Sequence, residues 1–188
     1  IQPYPGEVVW FNGADVVTDW RQQGRGWRST TYRSKLCRTC YHPAAIDPAR
    51  PLAGSPNQVF INGSPLVEVA GEAQLTTGTF YVADDGTVVI GTNPAGQRVE
   101  VSARWKAIQF NSGADGSVLR GLGFRHYAPT WNESQLAAVI ANAPRVTIEN
   151  NVLHDIAGTA LAVTRPGGWV SGNVVVRKMM YVALTYDH

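Results

Sequence analysis

Charge is scarce in this chain: Asp, Glu, Lys and Arg together make up 16% of its 188 residues. That argues against a disordered tail and against a charge-laced helical bundle. No apolar run approaches the roughly 18 residues of a membrane-spanning helix, so no membrane partner is expected. No segment keeps apolar residues at helical spacing for long enough to give an amphipathic helix. Cysteine is limited to two residues, too few to frame a disulfide-dense domain. The start, Ile1-Gln-Pro-Tyr4, lacks Met, a charged n-region and an apolar h-region. It reads as a mature secreted chain or an excised fragment. What is abundant is turn chemistry, with 19 Gly and 11 Pro beside 6 Trp. Together with short β-branched runs this indicates an all-β chain. The net charge of +2 says little, but its distribution is uneven.

From Pro144 to His188 the sequence repeats with a period of 22 residues. Val146–Asp155 superimposes on Gly168–Arg177, so Ile148 falls on Val170, Asn151 on Asn173 and Leu153 on Val175. Ser117–Phe124 fits the same template one step earlier, with Leu119 at the Ile148 position, but that step is 29 residues. The extra seven residues fit a loop around Ala128–Ser134, because Ala138 and Ile140 again lead Ala160 and Ala162 by 22. Such periods mark stacked supersecondary units. Without a helix per repeat or a leucine-rich spacing, parallel strands stacked coil on coil fit best, with Asn151 above Asn173 as an internal amide ladder. Residues 180–188 are still in register and no polar cap follows. The chain therefore reads as the N-terminal portion of a longer solenoid, or as one completed by further coils or by another chain.

The run Val146-Thr-Ile-Glu-Asn-Asn-Val-Leu-His154 resembles the repeat of the right-handed parallel β-helix superfamily typified by pectate lyases, over residues 98 to 188. The resemblance implies a β-helix and a secreted, carbohydrate-active protein. Elsewhere, Gln58-Val-Phe-Ile-Asn-Gly63 with Ser64–Val69 and Gly78–Gly91 read as two hairpins, turning at Asn62-Gly63 and at Asp84-Asp85-Gly86. The order Trp20, Trp27, Gln58–Gly63, Thr79–Val82, Val99–Val101 is similar to the inserted region of some secreted β-helix glycoside hydrolases. The expected organisation is residues 1–20 as entry strands, 21–97 as an inserted loop and antiparallel subdomain, and 98–188 as coils.

Between Arg21 and Cys40 lie Arg21, Arg25, Arg28, Arg33, Lys35 and Arg38 with no acid, interleaved with Trp27 and Tyr32. No clear period is visible there, which predicts a long loop. Such a stretch can be an ordinary solvated loop, or it can grip an anionic polymer. An acidic polysaccharide suits it better than nucleic acid, because a β-helix offers no groove-reading element. Cys37-Arg-Thr-Cys40 has only His42 nearby and lacks the four ligands of structural zinc, so a short disulfide is expected. Asp84-Asp85 reads as turn chemistry, and no calcium motif is visible, although a lyase could use calcium.

Coil register places Arg125, His154 and Val176 in one column, His126, Asp155 and Arg177 in the next, and Tyr127, Ile156 and Lys178 in a third. With coils about 4.8 Å apart, these side chains come within reach of one another. A cation to neutralise a uronate and an imidazole or carboxylate to take its α-proton are what a lyase needs. A hydrolase needs two carboxylates flanking the bond. Asp155 has no repeat-aligned partner, although Asp187 or further coils could supply one, so a polysaccharide lyase and a glycoside hydrolase both stay open. The candidate catalytic residues are His126, His154, Asp155, Arg177 and Lys178. Arg125, Trp131, Arg21, Arg25, Trp27, Arg28 and Arg33 are candidate substrate contacts. The competing readings are plain polar residues at a corner, and a non-catalytic glycan-binding or adhesin-like module.

Overall fold

Parallel strands cannot be joined by a tight turn, so each strand of a parallel sheet takes its partner from another coil. This requirement organises the region where the 22-residue period was seen. The computed structural model describes residues 1–37, 46–130, 137–176 and the backbone of 182–184. The chain divides into two compact units, residues 1–13 with 104–188, and residues 14–103. In chain order the strands begin with β1 (Trp10–Asn12) in the first unit. The second unit holds β2 (Ala14–Val16), β3 (Trp20–Gln23), β4 (Gly26–Arg33), β5 (Val59–Ile61), β6 (Ser64–Pro65), β7 (Val67–Glu68), β8 (Thr79–Val82), β9 (Thr87–Ile90) and β10 (Val99–Ser102). The chain then returns with β11 (Ile108–Phe110), β12 (Val118–Arg120), β13 (Gly123–Arg125), β14 (Val139–Ala141), β15 (Thr147–Glu149) and β16 (Val152–His154). It ends with β17 (Leu161–Val163), β18 (Trp169–Ser171), β19 (Val174–Val176) and β20 (Val182–Leu184). Among the described residues no helix is long and apolar enough to cross a membrane.

The first unit is a parallel β-helix with three sheets, ordered β1-β13-β16-β19, β11-β14-β17-β20 and β12-β15-β18. Its register is the one expected: Leu119 pairs with Ile148, and Ile148 with Val170. Ile140 pairs with Ala162. The core runs up the coil interior through Leu119, Phe124, Ile148, Leu153 and Leu161, all nearly inaccessible to solvent. Burying each such side chain stabilises the coil by roughly 1.5–3 kcal/mol.

The corner between β15 and β16 is held by the asparagine ladder. Asn151 Oδ1 accepts from Leu122 N at 3.1 Å, while its Nδ2 donates to Leu119 O at 3.1 Å and to Asn173 Oδ1 at 3.0 Å. Asn173 Nδ2 then donates to Ile148 O at 2.8 Å. Each amide therefore satisfies backbone groups of the preceding coil, where a bend has interrupted the strand ladders. The preceding corner position is left-handed in all three coils, at Gly121, Asn150 and Gly172.

The second unit packs two sheets, β2-β10-β5-β6 and β3-β4-β9-β8-β7, around Val59, Phe80, Val88, Ile90 and Val99. Both expected hairpins form, β5 with β6 and β8 with β9. Two expectations fail. The stretch from Arg21 is not a loop until after Arg33, because β3 and β4 pair as an antiparallel hairpin. Its periodicity is obscured by a register shift between Arg28 and Arg33, which breaks the alternation that marks a strand. Nor are residues from 98 onward all parallel: β10 is antiparallel to both β2 and β5. Alternation alone does not distinguish the two pairings, and the pairing of β2 with β10 draws residues on either side of the expected 21–97 segment into this unit.

Candidate active site on the first unit

The outer face of β1, β13, β16 and β19 carries two columns fixed by register. Trp10, Gly123, Val152 and Val174 form one, and Asn12, Arg125, His154 and Val176 the other. Glycine at 123 has a steric cause: a Cβ there would fall 2.4 Å from the Trp10 indole. The indole thus lies on the sheet across Gly123, remains 42% exposed, and has the Arg125 guanidinium 6.0 Å from its ring centre. That separation is the outer limit of a cation–π contact.

Immediately after these strands the chain turns through left-handed residues, His126 with φ 60° and Asp155 with φ 51°. Non-glycine residues in this region are strained by roughly 1–3 kcal/mol and persist where the surroundings impose them. Here the backbone does so coil by coil, His126 N donating to His154 O at 3.2 Å and Asp155 N to Val176 O at 3.0 Å. The turn pulls both side chains out of solvent, leaving His126 2% and Asp155 1% exposed. His126 and Asp155 stack in successive coils, but both lie beneath the face rather than on it.

His154, by contrast, stays partly exposed, and its Nδ1 lies 2.8 Å from Asp155 Oδ2. The distance is that of an ion pair or a tight hydrogen bond, yet the angle is poor and Oδ2 makes no directed hydrogen bond. A carboxylate set against Nδ1 helps to orient an imidazole ring. Burial, partly offset by Arg104, raises the Tyr127 hydroxyl above its ordinary range, so Tyr127 serves here as a neutral group. Among the described residues, no three His, Cys, Asp or Glu side chains gather as a metal would require.

The described basic residues of the sequence reading belong to the second unit, where Arg28 lines a cleft with Tyr81, and Arg33 and Lys35 line another with Tyr32. Pairing sets Gln22 opposite Trp27 and Arg21 opposite Arg28, so alternation puts Trp27 and Arg28 on opposite faces of the sheet. Arg28 and Arg33 both approach Asp85, at 3.5 and 3.9 Å, while Arg21 and Arg25 are exposed. Asp85 also accepts from Thr87 N at 2.9 Å, the turn role expected of it. Cys37 is not a free thiol. Its expected partner Cys40, together with Trp131, Arg177 and Lys178, lies outside the described residues.

Sequence reasoning missed Trp10 and the role of Gly123. The two meet only because the first coil stacks on the next, and the only local sign was a glycine interrupting the run Val118–Phe124.

No protein-family model matches the chain, and no curated protein matches its sequence. Among solved structures, XylC in complex with xylose is similar at a TM-score of 0.61 and 13% identity, over 91% of this chain and 43% of that one. The likeness is one of fold: both are β-helix proteins. The chain spans less than half the length of XylC.

Proposed function

We propose that this chain is part of a secreted, pectate-lyase-like β-helix protein that cleaves an acidic polysaccharide on the face carrying His154. The observation that carries the reading is the buried Asp155 carboxylate set 2.8 Å from Nδ1 of a partly exposed His154, one coil from Arg125. An imidazole so oriented can take the proton α to a uronate carboxyl, Arg125 can offset the developing enolate charge, and the glycosidic oxygen departs as the double bond forms. Arg177 and Lys178, next in the same sequence columns, would add positive charge, and Trp131 a stacking surface. Trp10 offers a flat apolar face beside Arg125 for a sugar ring. The fold likeness to a protein whose structure holds xylose supports a carbohydrate substrate class. Calcium, which a lyase could use to bridge uronates, has no ligand cluster among the described residues.

The test is depolymerisation of polyuronates by the full chain and its His154→Ala and Arg125→Ala variants, followed through the ultraviolet absorbance of unsaturated products. Loss of a general base lowers the rate by about 10²–10⁴-fold, and His154→Ala is expected in that range. New reducing ends without unsaturation would instead make the protein a hydrolase. Saturable binding with no cleavage would make it a glycan-binding module.

A further inference from the structure

We propose that the second unit carries its own binding site for an uncharged oligosaccharide, in the cleft between Trp20, Trp27 and the turn from Asn93 to Arg98. The cleft has a volume of about 650 Å³, within the span of about 300–1,000 Å³ usual for small-ligand sites. Its aromatic wall is set by strand alternation. Trp20 of β3 is paired with Ser29 and Trp27 of β4 with Gln22, so both indoles share one face of the hairpin. Both pack against the core of the unit and also line the cleft. Trp20 Nε1 donates to Val17 O at 2.8 Å, which fixes its ring. Half-buried, anchored indoles make flat platforms that lose little conformational entropy when a pyranose ring stacks on them.

The opposite wall is polar and fixed in the same way. Gln97 Nε2 donates to Asn93 O, and Gln97 Oε1 accepts from Asn62 Nδ2 at 3.2 Å, so this amide braces the turn. Asn93 Oδ1 accepts from Ala95 N at 3.0 Å, which leaves its exposed Nδ2 to meet a sugar hydroxyl.

Electrostatics select the class of sugar. Arg98 is the one ionisable residue lining the cleft among those described, and its guanidinium lies 3.2 Å from the carboxylate of Glu100, whose side chain is 4% exposed. The cation is thus already matched, and the cleft presents no unbalanced charge to a ligand. A uronate or phosphate would be desolvated there without a counter-charge, whereas a neutral pyranose chain offers apolar ring faces to the indoles and hydroxyls to the amides. The site goes beyond the chemistry proposed for His154. It would hold neutral stretches of a heteropolysaccharide in which uronates are only some of the units.

Titration of the full chain with cellohexaose, xylohexaose and mannohexaose tests the site, read by tryptophan fluorescence, with hexagalacturonate as the charged counterpart. Saturable binding of at least one neutral hexasaccharide is expected, and excess hexagalacturonate, the substrate class of the His154 face, should not displace it. Trp27→Ala should weaken it about tenfold or more, a change of roughly 1.4 kcal/mol. Because Trp27 also touches the core, Asn93→Asp is the second variant: it keeps the acceptor for Ala95 N, removes the Nδ2 donor, and should weaken the same binding severalfold with an unchanged melting temperature. His154→Ala should bind as the wild type does, so failure of the catalytic reading leaves this result standing. Absence of saturable neutral binding, its displacement by hexagalacturonate, or wild-type binding by both Asn93→Asp and a folded Trp27→Ala would overturn the proposal.

Discussion

Asp19 ties the irregular part of β4 together. Its carboxylate accepts from Ser29 Oγ at 2.8 Å, Thr30 Oγ1 at 2.7 Å and the amide of Thr31. Burial would raise its pKa, but these hydrogen bonds from Thr30, Thr31 and Ser29 outweigh it and hold the group well below the usual carboxylate range. A group whose folded pKa is depressed adds stability above its unfolded value, here 3.8, and loses it as pH falls toward the folded value. Chemical denaturation as a function of pH should show a component lost below about pH 4 that is absent in Asp19→Asn. An unchanged acid limb in that variant would mean the hydrogen bonds do not favour the ionised form. Nothing in the sequence marked Asp19, because its partners follow ten to twelve residues later and meet it only through the hairpin.

At the scale of the element, the corner ladder is the feature most open to measurement. Asn151→Ala would strip acceptors and donors from Leu122 N and Leu119 O at a site 1% exposed. Each buried backbone group left unmet costs about 1–3 kcal/mol, so a loss of roughly 3 kcal/mol in unfolding free energy is expected. Asn173→Ala, at a more exposed position, should cost less. This ladder was legible in the sequence because each asparagine is repeated one period later, on the same column. The hairpin of β3 and β4 was not, since the register shift destroys its period and its residues read as a basic loop. The left-handed corners show the same divide. Gly121 and Gly172 are turn signals in plain view, while His126 and Asp155 are types that reveal their conformation only once stacked. The candidate site was therefore recognisable as columns but not as a buried carboxylate under an exposed imidazole.

Among the described residues each compact unit has a main hydrophobic core of its own, built from different strands, and a small cluster of Ala137, Ile140 and Ala162 lies in the first unit. Large-to-small changes in a core cost about 2–5 kcal/mol, and their effect is confined to the cooperative unit that contains them. Calorimetry should therefore resolve two transitions. Phe80→Ala should lower one and Ile148→Ala the other, each residue being at most 1% exposed. A single transition lowered equally by both would show that the units unfold as one. A stack of coils adds a nearest-neighbour dependence. Ile148 is paired above and below, to Leu119 and Val170, so its truncation weakens two interfaces at once.

The chain leaves the first unit at Gly13 and returns at Arg104, and the two meet directly, Arg104 N donating to Gly13 O at 3.0 Å. The exit and re-entry points are thus one hydrogen bond apart, the arrangement that lets a surface turn accept a foreign domain with little loop-closure cost. In evolutionary terms, residues 14–103 are an insertion between the first strand of the coils and the rest of them. A segment that enters and leaves at one point is free to change in length and sequence while the 22-residue period of the coils is kept.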